Sequence, residues 1–315
     1  MYSYENYAIV KEEIAARRQK AIADAEKRKE LLRLESPEIE AIDKELSGTG
    51  FLLFKAACRG EDIAPIKEKN LCLQKKKKEI ILSLGYPEDY TEVKYFCPAC
   101  SDTGYTENGA VCSCLREALI KATISSSGMG KLIDKQSFDN FDLSRYDPTE
   151  LQTMKRTLRI AKEYAENFSR VQGDLLLFGK TGTGKTHISS AIAREVIRRG
   201  FDVIYDSVQN ILNDYENEKF KSGYGQKDYH CERYVDCDLL IIDDLGTEFS
   251  SPFTLSCLYN LLNTRQNRSA ATIISTNLSF EELAKKYEDR IYSRIFGKGS
   301  TILSFVGKDY RIHGK

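Results

Sequence analysis

The opening 85 residues scatter a few apolar positions among Ala, Glu, Lys and Arg, a helical pattern rather than an alternating one. "YAIVKEEIAARRQKAIADAEKRKELLRL" has no Gly or Pro and is built of strong helix formers, so it predicts one long helix. The helix stops near Ser36-Pro37, where Ser serves as N-cap and Pro as first residue of a second helix, "SPEIEAIDKEL". Gly48 and Gly50 are expected to break that second helix, and Gly85 to cap a third running through "IKEKNLCLQKKKKEIILSL". Apolar positions are too sparse for an independent coiled coil, so the helices are expected to pack on each other and on a partner. The run Lys75 to Lys78 reads as a solvated helix face, with a phosphate contact as the alternative.

The pattern then changes twice. From Tyr86 to about Leu115, Cys, Gly, Pro, Asp and Thr make a turn-rich knot, followed by a helix, "LREALIKATISSS", and a candidate linker, "SSSGMGK". From about Gln136 onward, short β-type runs ("DLLLF", "DVIYD", "DLLIID", "ATIIST") alternate with helical segments, the signature of a parallel α/β sheet. The expected division is a helical partner-binding region at 1–85, a four-cysteine module with its following helix at 86–130, and an α/β domain at 131–315.

Composition narrows the function. Formal net charge is zero, so any attraction to nucleic acid or an acidic membrane must be local. The start, "MYSYENYAIVKEEIAARRQK", lacks the basic and apolar regions of a signal peptide, and no apolar run approaches the ~20 residues of a membrane span. "FLLF" and "LLII" are core-sized. A cytoplasmic protein with reduced thiols is expected, so the nine cysteines need individual explanations.

Gly179 to Thr186, "GKTGTGKT", match G-x-x-x-x-G-K-[ST] directly after a strand and at the opening of a helix, the context that confirms a phosphate-binding loop. Gly182 and Gly184 let backbone N–H groups converge on a β-phosphate, and the helix N-terminus adds partial positive charge. Lys185 would bridge the β- and γ-phosphates, and the Thr186 hydroxyl would take one position on Mg²⁺. Candidate nucleotide contacts run unbroken through Gly179, Lys180, Thr181, Gly182, Thr183, Gly184, Lys185, Thr186 and His187. His187, His230 and His313 lack metal spacing and receive no chemistry of their own.

"DLLIIDDLG" reads as a strand buried on both faces that ends in Asp243-Asp244 at the carboxyl edge, where ligands sit in such sheets. Asp243 would hold Mg²⁺, and Asp244 would orient and deprotonate the attacking water. Asn277, after "ATIIST", would sense the γ-phosphate or that water. In "DRIYSRIFGKG", Arg294, or alternatively Arg290, would complete a neighbouring subunit's site; a surface helix with solvated arginines is the plainer reading.

Cys97 and Cys100 form C-x-x-C, and Cys112 and Cys114 form C-x-C, two chelating pairs able to bring four thiolates around one Zn²⁺. An iron–sulfur cluster, a redox dithiol and unligated thiols are the rivals. Cys58, Cys72, Cys231, Cys237 and Cys257 are scattered and expected to be buried. "DYENEKFKSGYGQKDYHCERY" interleaves aromatics with cations, Lys219, Phe220, Lys221 and Tyr224 among them, which suits single-stranded DNA. An amphipathic helix followed by a subunit-contact loop explains it equally well.

"GKTGTGKTHISSAIA", "LLIIDDLGTE", "IISTNLS" and "RIYSRIFG", in this order, resemble the AAA+ ATPases, and within them bacterial replicative helicase loaders of the DnaC/DnaI type. "CPACSDTGY…CSCL" followed by "SFDNFDLSRY" also looks like members with an N-terminal helicase-binding region, so the resemblance covers the chain from about residue 95. It implies an AAA+ P-loop three-layer sandwich behind a helical region and a zinc module. It implies ATP, Mg²⁺ and Zn²⁺ as cofactors, with a hexameric replicative helicase, single-stranded DNA and further copies of the chain as partners. By similarity, Arg294 takes the trans-acting finger role, and Arg311 in "YRIHGK" that of the second sensor arginine. Asp244 stands where most AAA+ proteins have Glu, which implies slow, partner-stimulated hydrolysis. The chain stops four residues after Arg311, too soon for a helical lid, so a neighbour is expected to enclose the nucleotide. A transposase helper resembling IstB and a nucleotide-gated adaptor with little hydrolysis are the alternatives.

Overall fold

The computed structural model describes residues 2–60, 62–130, 132–221, 231–297 and 299–309. The chain divides into two compact units, Lys11–Leu115 and, taken together, Met1–Val10 with Arg116–Lys315.

The first unit is built on α1 (Tyr4–Glu35) from Lys11 onward, α2 (Pro37–Arg59) and α3 (Ala64–Ser83). Pro37 opens α2 after Ser36 in an extended conformation, as expected. Gly48 and Gly50 do not break α2, which runs through both. Neither glycine has a neighbour where a side chain would stand, so the helix simply carries two weak residues. Gly85 ends α3 with φ +83. Its N–H bonds to Leu82 O at 3.0 Å and that of Tyr86 to Ile81 O at 3.2 Å, a Schellman close. Leu32, Ile39 and Ile81 form a small buried cluster, edged by Tyr86 and Tyr90. The FLLF stretch is not core: Phe51 and Phe54 are 67% and 70% exposed. Cys58 and Cys72 are exposed too, against expectation, while Cys231, Cys237 and Cys257 are buried. Within the lysine run, Lys75, Lys76 and Lys78 are exposed and pair at the surface with Glu79, Glu38 and Glu88, while the less exposed Lys77 pairs with Asp43 at 2.5 Å.

The second unit continues through α4 (Ser113–Ser126), α5 (Leu132–Lys135) and a 3-10 turn (Leu143–Arg145) to α6 (Pro148–Glu166). It then alternates β1 (Leu175–Gly179), α7 (Lys185–Arg198), β2 (Val203–Ser207), α8 (Val208–Lys221), α9 (Glu232–Asp236), β3 (Leu239–Leu245) and α10 (Pro252–Asn267). It closes with β4 (Ala271–Thr276), α11 (Phe280–Lys286), α12 (Asp289–Ile295) and β5 (Thr301–Phe305). All pairings are parallel, in the order β2-β3-β4-β1-β5. β5, whose alternating exposure belongs to an edge strand, was not anticipated from the sequence.

Alternate strand residues feed two cores. Leu177, Tyr205, Ile241 and Ile273 pack with α6 and α7 on one face. Leu176, Leu240, Ile242 and Ile274 pack with α8 to α12 on the other. This is the three-layer α/β sandwich expected from the sequence. The expected linker is not free: Ser127 and Met129 are buried, and Tyr205 N–H donates to Ser127 O at 2.7 Å on the sheet's edge strand. A side chain at Gly128 (φ +80) would strike Tyr205 O, so glycine is required for that approach.

At the amino ends of the strands Arg265 is fully buried. Its guanidinium donates to the carbonyls of Tyr234, Val235, Cys237 and Ala271 and to Thr272 Oγ1. These bonds join the end of α9 to the start of β4.

Because no side chain opposes them, Gly48→Ala and Gly50→Ala are each expected to raise stability by about 0.5–1 kcal/mol. Urea unfolding followed by circular dichroism checks this; a lowered midpoint would mean that the glycines serve as a helix break.

Candidate nucleotide site and cysteine cluster

β1 delivers the chain to the loop at Gly179, and α7 starts at Lys185 after Gly184 in the left-handed region (φ 97). Gly182 also has positive φ, and a side chain there would collide with the Asp309 carboxylate. Thr183 is fully buried, with Oγ1 donating to Lys180 O at 2.7 Å, while Tyr146 OH donates to Thr183 O at 3.0 Å. Gly179, Lys180, Thr181 and Thr183 therefore shape the loop. Gly182, Gly184, Lys185, Thr186 and His187 line a cavity of about 490 Å³ beside it.

Lys185 is buried and its Nζ donates to Gly179 O at 2.6 Å, Lys180 O at 2.8 Å and Asn277 Oδ1 at 2.5 Å. Asn277 Nδ2 in turn donates to Asp244 Oδ1 at 3.3 Å. A relay thus joins loop lysine, strand-end amide and acidic pair. Asp243, Asp244 and Asn277 line the same cavity, so the structure brings together the groups singled out from three separate stretches of sequence.

Asp243 accepts from Tyr205 OH at 2.7 Å, from Ser275 Oγ in a very short bond, and from Thr186 Oγ1 at 3.4 Å. Burial, with Asp243 beside it, holds the Tyr205 phenol above its usual pKa, so it acts as a donor. The Thr186 hydroxyl and Asp243 carboxylate are hard oxygen donors placed side by side, a set that fits Mg²⁺. Asp244 has φ +55 where β3 and β4 shift register, and its N–H is held by Ser275 Oγ at 2.9 Å. The backbone turn aims this second carboxylate into the cavity while Asp243 stays in the strand.

Sequence reasoning missed Tyr205, Ser275, Gln136 and Arg145, the last two of which also line the cavity. A polar residue inside an otherwise apolar strand was the available signal for the first two. His187 Nε2 lies 2.8 Å from Ser137 O, which can only accept, so that nitrogen carries a proton. Burial lowers the His187 pKa, leaving a neutral ring with Phe141 edge-on at 5.2 Å.

Arg290 and Arg294 lie on α12, exposed and half-buried respectively, and neither lines the cavity. Lys219 rests over the Phe253 ring at 4.4 Å. The Phe220 and Lys221 side chains, Tyr224 and Arg311 lie outside the described residues.

In the first unit Cys97, Cys100, Cys112 and Cys114 place their sulfurs within 4.8 Å of one another, with Cys97–Cys112 at 3.7 Å and Cys100–Cys114 at 3.5 Å. Four thiolates at about 2.3 Å from one tetrahedral ion stand about 3.8 Å apart, so the set fits a single metal. Asp102, fully buried at φ +53, accepts from the N–H groups of Phe96 and Cys97 at 2.8 and 3.0 Å and pairs with Arg17 at 2.8 Å. This second layer fixes the first chelating turn against α1.

Residues 122–312 match the family of IstB-like ATP binding proteins. The chain belongs to this family. Among curated relatives, the replicative helicase loader DnaC of Escherichia coli (strain K12) is 27% identical over 210 residues, 65% of this chain and 83% of that protein. The phage-like element PBSX protein XkdC of Bacillus subtilis (strain 168) is 24% identical over 245 residues, 72% of this chain and 88% of that protein. Among solved structures, the DnaC helicase loader aligns with TM-score 0.46 and 22% identity, covering 54% of this chain and 98% of that one. DnaI aligns with TM-score 0.43 and 21% identity over 58% of this chain and 94% of that one.

Removing the phenol hydroxyl leaves Asp243 less constrained, so Tyr205→Phe is expected to raise the Mg²⁺ concentration for half-maximal ATP binding roughly tenfold. Lys185→Ala is expected to abolish ATP binding at every Mg²⁺ concentration. Fluorescent-nucleotide titrations read both, and an unchanged Mg²⁺ midpoint in Tyr205→Phe removes that residue's role.

Proposed function

We propose that this protein is an ATP-dependent replication factor that binds a hexameric replicative helicase and delivers it to single-stranded DNA. The reading is carried by a division of labour. Lys185, Thr186, Asp243, Asp244 and Asn277 all lie within the second unit, whereas the first offers four thiolates and exposes Phe51, Phe54 and Leu71 on α2 and α3. Large exposed apolar side chains suit a protein partner, and the expected partner-binding region, 1–85, contains all three. Likeness to proteins named as helicase loaders supplies the partner's class.

In this scheme Lys185 and the loop N–H groups bind the phosphates, Thr186 and Asp243 hold Mg²⁺, and the metal supplies charge neutralisation when bound. Asp244 takes the proton of the attacking water, with Asn277 orienting it and reporting the γ-phosphate. Arg294, or Arg290, does not line its own cavity and serves a neighbouring copy. Hydrolysis is slow until the partner binds, because the Asp244 carboxylate reaches less far than a glutamate. Single-stranded DNA contacts begin at Lys219 and continue through Phe220, Lys221 and Tyr224. The cysteine cluster holds Zn²⁺, which adds folding energy where the buried cluster is small.

The family match also favours a second reading, a transposase helper of the IstB type. Affinity capture from cell lysate with and without ATP separates the two. Recovery of a hexameric helicase, lost or released in Lys185→Ala, is expected; recovery of a transposase instead, or of neither, overturns the loader reading.

For the cluster, a chromogenic chelator with a thiol-blocking reagent is expected to release one zinc per chain. Cys112→Ser is expected to release none and to lower the melting temperature while leaving ATP affinity within about twofold, since the sulfurs lie in the other unit. Iron in the purified protein would contradict the zinc assignment.

A further inference from the structure

Directly after Asp244 the chain runs into Gly246 and Glu248, and Glu248 is only 5% exposed. Its carboxylate accepts from Gly246 N–H at 2.8 Å and from Tyr287 OH at 2.7 Å. Lys286 reaches the same point, with Nζ 3.3 Å from Glu248 Oε1 and donating to Gly246 O at 2.6 Å and Glu248 O at 2.9 Å. A side chain at Gly246 (φ +109) would strike Leu278, which follows Asn277, so the loop is pinned on that side as well. Tyr287 is buried, and burial with Glu248 alongside holds its phenol above the usual range, keeping the donor intact. Lys286 ends α11, and only Tyr287 and Glu288 separate it from α12, which bears Arg290 and Arg294.

The loop that follows Asp244 is therefore riveted to the segment that carries the arginines. A buried carboxylate and a half-buried ammonium that satisfy each other and three backbone groups resist relative displacement, because separating them strands the buried charge. Ile291 and Ile295 sit in the same core as Tyr287, and Gln266 Nε2 donates to Arg294 O at 2.6 Å, so α12 is held along its whole length.

We propose that Glu248 and Lys286 are positioning residues that transmit the state of the nucleotide cavity to the arginine-bearing helix α12. The inference rests on nucleotide occupying that cavity. Phosphate arriving at Lys185 and Asn277 perturbs Asp244 through its bond to Asn277, and the rivet carries the shift to residues 286–295. The arginine presented to a neighbouring copy then depends on whether this copy holds nucleotide.

Hydrogen–deuterium exchange on the full zinc-loaded chain tests this, with Mg²⁺ and a non-hydrolysable ATP analogue as the probe. In the native protein, nucleotide is expected to change exchange of peptides spanning 285–297 by about threefold or more. In Lys286→Met and Glu248→Gln, analogue affinity is expected to stay within about threefold while the response at 285–297 disappears and that of the phosphate loop remains. A structural role alone would raise exchange across the core equally with and without nucleotide. No response at 285–297 in the native protein, or a full response in a folded variant, overturns the proposal. If both variants lose nucleotide binding or fold, the rivet is a stability element and the proposal also fails. Failure of the native chain to bind the analogue would instead overturn the nucleotide reading on which it rests.

Discussion

Parallel pairing of three strands is the constraint on which everything else rests. β1 and β3 both pair with β4, so the carboxyl ends of all three arrive at one edge. That alone brings Lys185 to Asn277 across 92 residues, and Thr186 to Asp243 across 57. Apolar side chains alternating onto two cores set the register, and a slip by one residue would turn every one of them to the wrong face. Phosphate chemistry is thus a by-product of how the hydrophobic residues are ordered.

At that edge the polar groups are bound to one another. Lys185 is buried, and backbone oxygens and the Asn277 amide orient its ammonium toward the loop. Asp243 is held in place by the Tyr205 and Ser275 hydroxyls. Preorganisation of this kind spares a ligand the cost of arranging the groups that bind it.

Much of this was legible in the sequence. "GKTGTGKT" after a strand and "DLLIIDD" announce their geometry because few residue types tolerate those backbone positions and that burial. Clustered sulfurs followed from C-x-x-C and C-x-C spacing for the same local reason. What escaped depended on contacts between distant segments. Tyr205 reads as one more strand residue until β2 lies beside β3, and Glu248 as a loop acid until Lys286 is seen above it. Gly48 and Gly50 misled because propensity is weak: the flanking turns of α2 carry the helix through. "FLLF" misled because apolar character says nothing of which side will be covered.

Arg265 has a mechanical meaning. Sealed among carbonyls at the amino ends of the strands, it clamps α9 to β4 on the side of the sheet away from the cavity. Pulling that end apart would strand a buried guanidinium, so α9 and β4 are held together there by a charge that has nowhere else to go.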